Sequence, residues 1–196
     1  MEKILYIDTE TTGLDKNKND IIQVAGIIEI DGEEKERFNI LCQPFSYENI
    51  APEALEVQGR TIEQIREFQD PRAAYKEFKA IIGKYIDKYD KTDKFYVAGQ
   101  NVKFDLEFLH AWAKKNNDNY LGSYMWWYTI DLLVFAAALR AWGYIKTQAL
   151  KLVDICQALG IEIENAHDAM ADIEATQKCM QKIKEKHIKI GTSDWE

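Results

Sequence analysis

The sequence predicts an α/β domain, and three observations predict it. An Asp-Gly turn joins two early strand-like runs into an antiparallel pair, the first run is apolar at four successive positions, and strand-like runs alternate with helical ones later in the chain. The first run, Ile4-Leu5-Tyr6-Ile7 within residues 3–8, has the composition of a central strand covered on both faces. Residues 21–30 and 36–42 form the next two strands, with "IDGEE" at Ile30–Glu34 supplying the turn between them. From about residue 52 the pattern turns mainly helical, interrupted by "FYVAG" at 95–99 and a short strand at 126–130, each feeding a helix. Helices are expected near 71–89, 103–115, 131–141, 149–158 and 168–187. The connections are short and free of repeats or low-complexity tracts, which predicts one domain over 1–190. Only 24 residues follow Asp172 and the last helix consumes most of them, leaving a short C-terminal tail at 191–196.

A chain of 196 residues, 46% hydrophobic and 30% charged, is large enough to bury a core of its own. Its 25 Lys and Arg against 33 Asp and Glu give a formal charge of −8, which argues against a long basic groove tracking many duplex phosphates. Any nucleic-acid contact should be local. Cys42, Cys156 and Cys179 have neither zinc-ligand spacing nor an even count, so a reducing, cytoplasmic setting is expected. The N-terminus lacks the regions of a signal peptide. The longest apolar run, Leu132 to Leu139, has eight residues against the ~20 of a spanning helix, so no membrane role is expected.

The chemistry starts at "ILYIDTETTGL". Side chains alternate along a strand, so Asp8 and Glu10 point to one side if extended geometry persists past Ile7. Two partly desolvated carboxylates repel, and a divalent cation would resolve that; solvated loop residues in a turn at Thr11-Thr12-Gly13 are the competing reading. In "GQNVKFDLEFLHAW", Asp105 shares a helical face with Phe108, Leu109 and Trp112, the face toward the core; a partner for the helix dipole is the alternative. In "NAHDAMADIEATQKCM", Asp172 falls on a stripe with Ala169, Thr176 and Cys179. If Asp168 caps that helix, His167 stands outside it and can turn toward the same place. Asp8, Glu10, Asp105 and Asp172 together carry four charges that two divalent ions would neutralise, and carboxylate oxygens suit magnesium or manganese.

Three motifs, "DTETTG" at Asp8–Gly13, "NVKFD" at Asn101–Asp105 and "HDAMAD" at His167–Asp172, resemble in order those of the DEDDh exonucleases of the ribonuclease-H-like superfamily. Among these the chain is similar to the proofreading (epsilon) subunits of bacterial DNA polymerase III. The resemblance covers about residues 3–185, and "VQGRT" at Val57–Thr61 is similar to the family's segment preceding a helix that wedges against terminal bases. Gln58 stands where a His or Asn is common. The resemblance implies a ribonuclease-H-like mixed five-stranded sheet flanked by helices. It implies a 3′–5′ exonuclease using two Mg2+ or Mn2+ ions to release nucleoside 5′-monophosphates from single-stranded 3′ ends, DNA favoured, in proofreading or repair, with a DNA polymerase as partner. Asp8 would then bridge both ions, Glu10 and Asp172 would complete the first, Asp105 would hold the second partly through water, and His167 would be the general base. Thr11, Leu14, Val57 and Phe104 would line the terminal nucleotide, with core packing as their alternative.

Two features are expected to stay outside this chemistry. Asp131, at a position where relatives often carry an Asp, reads as the N-cap of "LLVFAAAL". The aromatics of "YMWWY" at Tyr124–Tyr128 read as a buried strand or a subunit contact rather than a base-stacking platform. The competing functions are an exoribonuclease acting through the same five residues and an exonuclease fold kept as a binding subunit of a polymerase. A phosphatase-like enzyme built on the strand-end Asp would leave the later motifs unexplained.

Overall fold

The computed structural model describes residues 2–163 and 168–187. The tail expected at 191–196 lies outside them. Five strands, β1 (Lys3–Thr11), β2 (Ile21–Ile30), β3 (Glu33–Leu41), β4 (Phe95–Gly99) and β5 (Met125–Asp131), form one sheet in the order β3-β2-β1-β4-β5. The β1–β2 and β2–β3 pairs are antiparallel; β4 pairs with β1 and with β5 in parallel. The apolar run of β1 accordingly occupies the middle of the sheet, with Leu5, Tyr6 and Ile7 all buried. Asp31 and Gly32 both take positive φ, 51° and 83°, and make the two-residue hairpin between β2 and β3.

The helices are α1 (Pro52–Gln58), α2 (Ile62–Arg66), α3 (Pro71–Gly83), α4 (Lys103–Lys115), α5 (Leu132–Ala141), α6 (Leu152–Leu159) and α7 (Ala169–His187). Asp70 starts α3 by accepting from the backbone N–H groups of Arg72 and Ala73, and Ala74, Tyr75, Phe78, Ile81 and Ile82 form its buried stripe. This helix ends at Gly83, six residues before the expected 89. The reason lies in "DKYDKTD": Asp87 accepts from Tyr89 N, Asp90 from Thr92 N, and Asp93 from Asp87 N, so side-chain carboxylates take donors that a longer helix would need. Of two short helices, α2 lies where the resemblance at Val57–Thr61 implies a helix, and α1 has no local signal. The first, α1, buries no residue and so has no apolar stripe to read, while α2 is announced locally only by a capping box of Thr61 and Gln64.

Asp131 caps α5 as expected, accepting from Leu133 N at 2.9 Å. The same oxygen accepts from Asn101 N at 2.9 Å, where the chain leaves β4 in a left-handed conformation (Asn101 φ 59°) to begin α4. The aromatic run is only half buried, because β5 is an edge strand: Tyr124 and Met125 are covered, whereas Trp127 is 89% exposed. Trp126 and Tyr128 stack on each other with centroids 5.5 Å apart. Cys42, Cys156 and Cys179 are free and buried, and among the described residues no helix is long and apolar enough to cross a membrane.

Gly99 marks the closest approach of β4 to β1. A Cβ there would lie 2.9 Å from the Ile7 carbonyl oxygen and 3.0 Å from Val102 Cβ. Backbone cannot yield as a flexible side chain does, so Gly99→Ala is expected to destabilise by about 1–3 kcal/mol. A urea titration with a lower midpoint and unchanged slope is the expected record; an unchanged midpoint would show that the two strands can separate freely.

Candidate active site

β1 is where the sheet changes from antiparallel to parallel pairing, and its ladder with β4 ends at Tyr6, so its C-terminal end runs on beside β2. β1 stays extended through Thr11, so Asp8 and Glu10 do lie on one face, in line with Ile4 and Tyr6. They are paired across the ladder with Ala25 and Gln23. Both keep partial exposure, which leaves them reachable from solvent. Helix α7 covers this face: Gln177 Nε2 donates to Glu29 Oε2 at 2.9 Å, and Glu29 is the cross-strand neighbour of Ile4. Asp168 caps α7, its Oδ1 accepting from Met170 N and Ala171 N at 3.1 Å each, and Asp172 follows in the first turn.

Asp105 arrives from the other face. It is 3% exposed in the first turn of α4, among buried Phe108, Leu109 and Trp112 as the spacing predicts. Thr9, which points away from Asp8 and Glu10, donates to Asp105 Oδ1 twice, from its backbone N at 2.9 Å and its hydroxyl at 2.7 Å. The carboxylates therefore straddle the end of the sheet, and among the described residues no three acidic, His or Cys side chains yet close on one point as a bound ion requires. His167 lies outside the described residues, one position before the capping Asp168.

The electrostatics are those of a cluster short of cations. Burial lifts Asp8 well above the usual carboxylate range, and Asp105, Glu10, Asp172 and Asp168 push it further. Glu10 rises to about 7, chiefly through burial, with Arg60 and Gln58 pulling the other way and Asp172 and Asp168 adding to the rise. Asp105 also rises to about 7 through burial, against the Thr9 hydrogen bonds. Hard oxygen donors that repel one another in partly desolvated surroundings fit divalent magnesium or manganese in charge and chemistry.

The residues expected near a terminal nucleotide divide. Leu14 (87% exposed) and Val57 (62% exposed) are free of the core. Thr11 is buried, its hydroxyl donating to Gly13 O at 2.7 Å, and Phe104 is partly buried against Phe108 at 4.8 Å between centroids. Residues unforeseen from the sequence also belong here. Thr9 fixes Asp105, Gln58 donates to Thr11 O at 2.9 Å, and Arg60 bonds Gln23 beside Glu10.

Comparison with known proteins places these features in a family context. The family model described as exonuclease (RNase T) matches residues 5–180. The chain is 25% identical over 187 residues to the PolC-type DNA polymerase III of Thermotoga petrophila, covering 95% of this chain and 12% of that protein. It is 29% identical over 205 residues to exodeoxyribonuclease I of Haemophilus influenzae, covering 93% of this chain and 40% of that one. Among solved structures, E. coli exonuclease I in complex with a dT13 oligonucleotide superposes with a TM-score of 0.76 at 26% identity, over 95% of this chain and 41% of that chain. The zinc-bound form of the same enzyme with single-stranded DNA gives a TM-score of 0.79 at 26% identity. The chain thus spans well under half the length of these relatives.

Proposed function

Because this chain belongs to the RNase T exonuclease family, we propose that it hydrolyses single-stranded DNA from the 3′ end, releasing nucleoside 5′-monophosphates with the help of two divalent ions. What supports the reading is that Asp8 and Glu10 on one face of β1, Asp172 in the first turn of α7 and Asp105, held through Thr9 from the other face, are acidic groups whose charges oppose one another. Asp8, Glu10, Asp105 and Asp172 would hold magnesium or manganese. When bound, such ions neutralise charge on the attacking and leaving oxygens of a phosphoryl displacement.

The chain's own groups do the rest. His167, ahead of the α7 cap, takes the proton of the attacking water; a neutral imidazole with an ordinary value near ~6.5 can do so at neutral pH. Water oxygen bonds to phosphorus, the bond from phosphorus to the 3′ oxygen breaks, and that oxygen recovers a proton as the shortened strand leaves. Thr11, Leu14, Val57 and Phe104 flank the terminal nucleotide, exposed Leu14 and Val57 offering apolar contact to a base or sugar. With a net charge of −8 the grip should be confined to a few terminal nucleotides, giving a shallow salt dependence. Proofreading or repair beside a polymerase is the setting we favour, supported by the PolC-type relatives.

The test is a 5′-labelled single strand incubated with Mg2+ or Mn2+. It is expected to shorten as a one-nucleotide ladder while a circular strand survives. Cleavage of the circle would overturn the exonuclease reading, and binding without shortening would favour a polymerase-associated binding subunit. A matched RNA strand in the same assay decides between DNA and RNA, since no residue here is assigned to a 2′-hydroxyl.

A further inference from the structure

A guanidinium stands on the Glu10 side of the strand end. Helix α1 ends at Gly59, whose left-handed conformation (φ 63°) turns the chain so that Arg60 follows directly. Arg60 Nη2 donates to Gln23 Oε1, and Gln23 is the residue directly opposite Glu10 in the β1–β2 ladder, so both side chains stand on the same face of the sheet. Gln23 is held in turn by Asn39, which accepts from its Nε2 at 2.8 Å. The guanidinium also lies 5.3 Å above the Phe68 ring. Its Nη1 is buried and has no hydrogen-bond partner, and the same is true of Gln58 Oε1, two residues earlier in the chain. An arginine so anchored, half desolvated and with an unsatisfied donor, serves something beyond its own packing. Its charge acts on Glu10 and on Asp168.

We propose that Arg60 is a positioning residue that acts as the resident counter-charge of the carboxylate cluster: it steadies Glu10 while the cation site is empty and weakens the binding of a divalent ion there. The inference rests on the reading of these carboxylates as a divalent-cation site. Coulomb repulsion between a fixed guanidinium and an incoming cation opposes the attraction of the carboxylates. Ion occupancy would then respond to changes in cation concentration over a higher range than the bare carboxylates would set.

The experiment measures Mn2+ binding by electron paramagnetic resonance of the free ion, with thermal melts in chelator and in Mn2+, for the parent, Arg60→Met, Arg60→Lys and Asp8→Asn. Arg60→Met is expected to bind Mn2+ about 3- to 10-fold more tightly, to melt lower than the parent in chelator, and to gain more from Mn2+. Arg60→Lys, which keeps the charge, is expected to return toward the parent. A merely structural role predicts the opposite sign, since a loosened site binds an ion less well. Unchanged or weaker Mn2+ binding by Arg60→Met, in a parent whose binding is lost in Asp8→Asn, would overturn the role given to Arg60 and leave the cation site standing. Should Arg60→Met fail to fold, an Arg60→Lys protein that binds Mn2+ differently from the parent by more than 3-fold would overturn it. A parent that binds no Mn2+ would overturn the cation site itself, and this inference with it.

Discussion

Asp8→Asn will lower metal-dependent shortening of single-stranded DNA by at least about 10³-fold, the loss of roughly 4 kcal/mol of transition-state stabilisation. Asp8 is the carboxylate against which the others are arrayed: Asp105, Glu10, Asp172 and Asp168 all act on it. The amide keeps its shape and removes its charge. In chelator the same substitution is expected to stabilise the protein by about 1–2 kcal/mol, because one repelling, desolvated charge has gone from the cluster. The two measurements pull in opposite directions, which separates a functional carboxylate from a structural one. Activity within tenfold of the parent would place the chemistry elsewhere, and a lower melting temperature in chelator would show that Asp8 holds the fold.

The metal-free protein is expected to lose stability as pH rises from about 4.5 through about 7. Glu10 moves from its ordinary 4.5 to about 7 and Asp105 from 3.8 to about 7 on folding, with Asp8 raised as well. A carboxylate raised on folding binds its proton more tightly in the native state. Its contribution is therefore complete below the unfolded value and disappears as pH climbs past the folded one. Because the three groups interact, they titrate as a set rather than singly, and the loss between pH 4.5 and 8 is expected to exceed the ~3 kcal/mol that one such group would give. Melts in chelator across that range should fall with pH, and saturating Mn2+ should flatten the fall at the alkaline end. A chelated protein equally stable at pH 5 and pH 8 would mean that the carboxylates are better solvated than their surroundings suggest.

The parts of this architecture that could be read from sequence are those with a short-range cause. The apolar run of β1, the Asp31-Gly32 turn and the buried face shared by Asp105, Phe108, Leu109 and Trp112 each follow from periodicity or turn chemistry within a dozen residues. Asp131 read as a cap and is one, yet its second bond, to Asn101 N, joins residues thirty apart and had no local sign. Thr9 could not be assigned to Asp105 for the same reason, the two being ninety-six positions apart. Arg60 was hidden more deeply: its place beside Glu10 depends on the register that sets Glu10 opposite Gln23. The end of α3 failed on a local competition, Asp side chains against the helix backbone. The exposure of Trp127 depended on strand order, which puts β5 at the edge of the sheet.

The central place of β1 has a kinetic consequence. Over Ile4–Tyr6, flanked by β2 on one side and β4 on the other, its amide hydrogens are locked into ladders that cannot open unless a neighbouring strand departs. Exchange with deuterated solvent in this stretch should therefore proceed only through complete unfolding, whereas exposed segments such as α1 should exchange through small local openings. Asp8 and Glu10 follow on that doubly paired stretch and remain paired with β2.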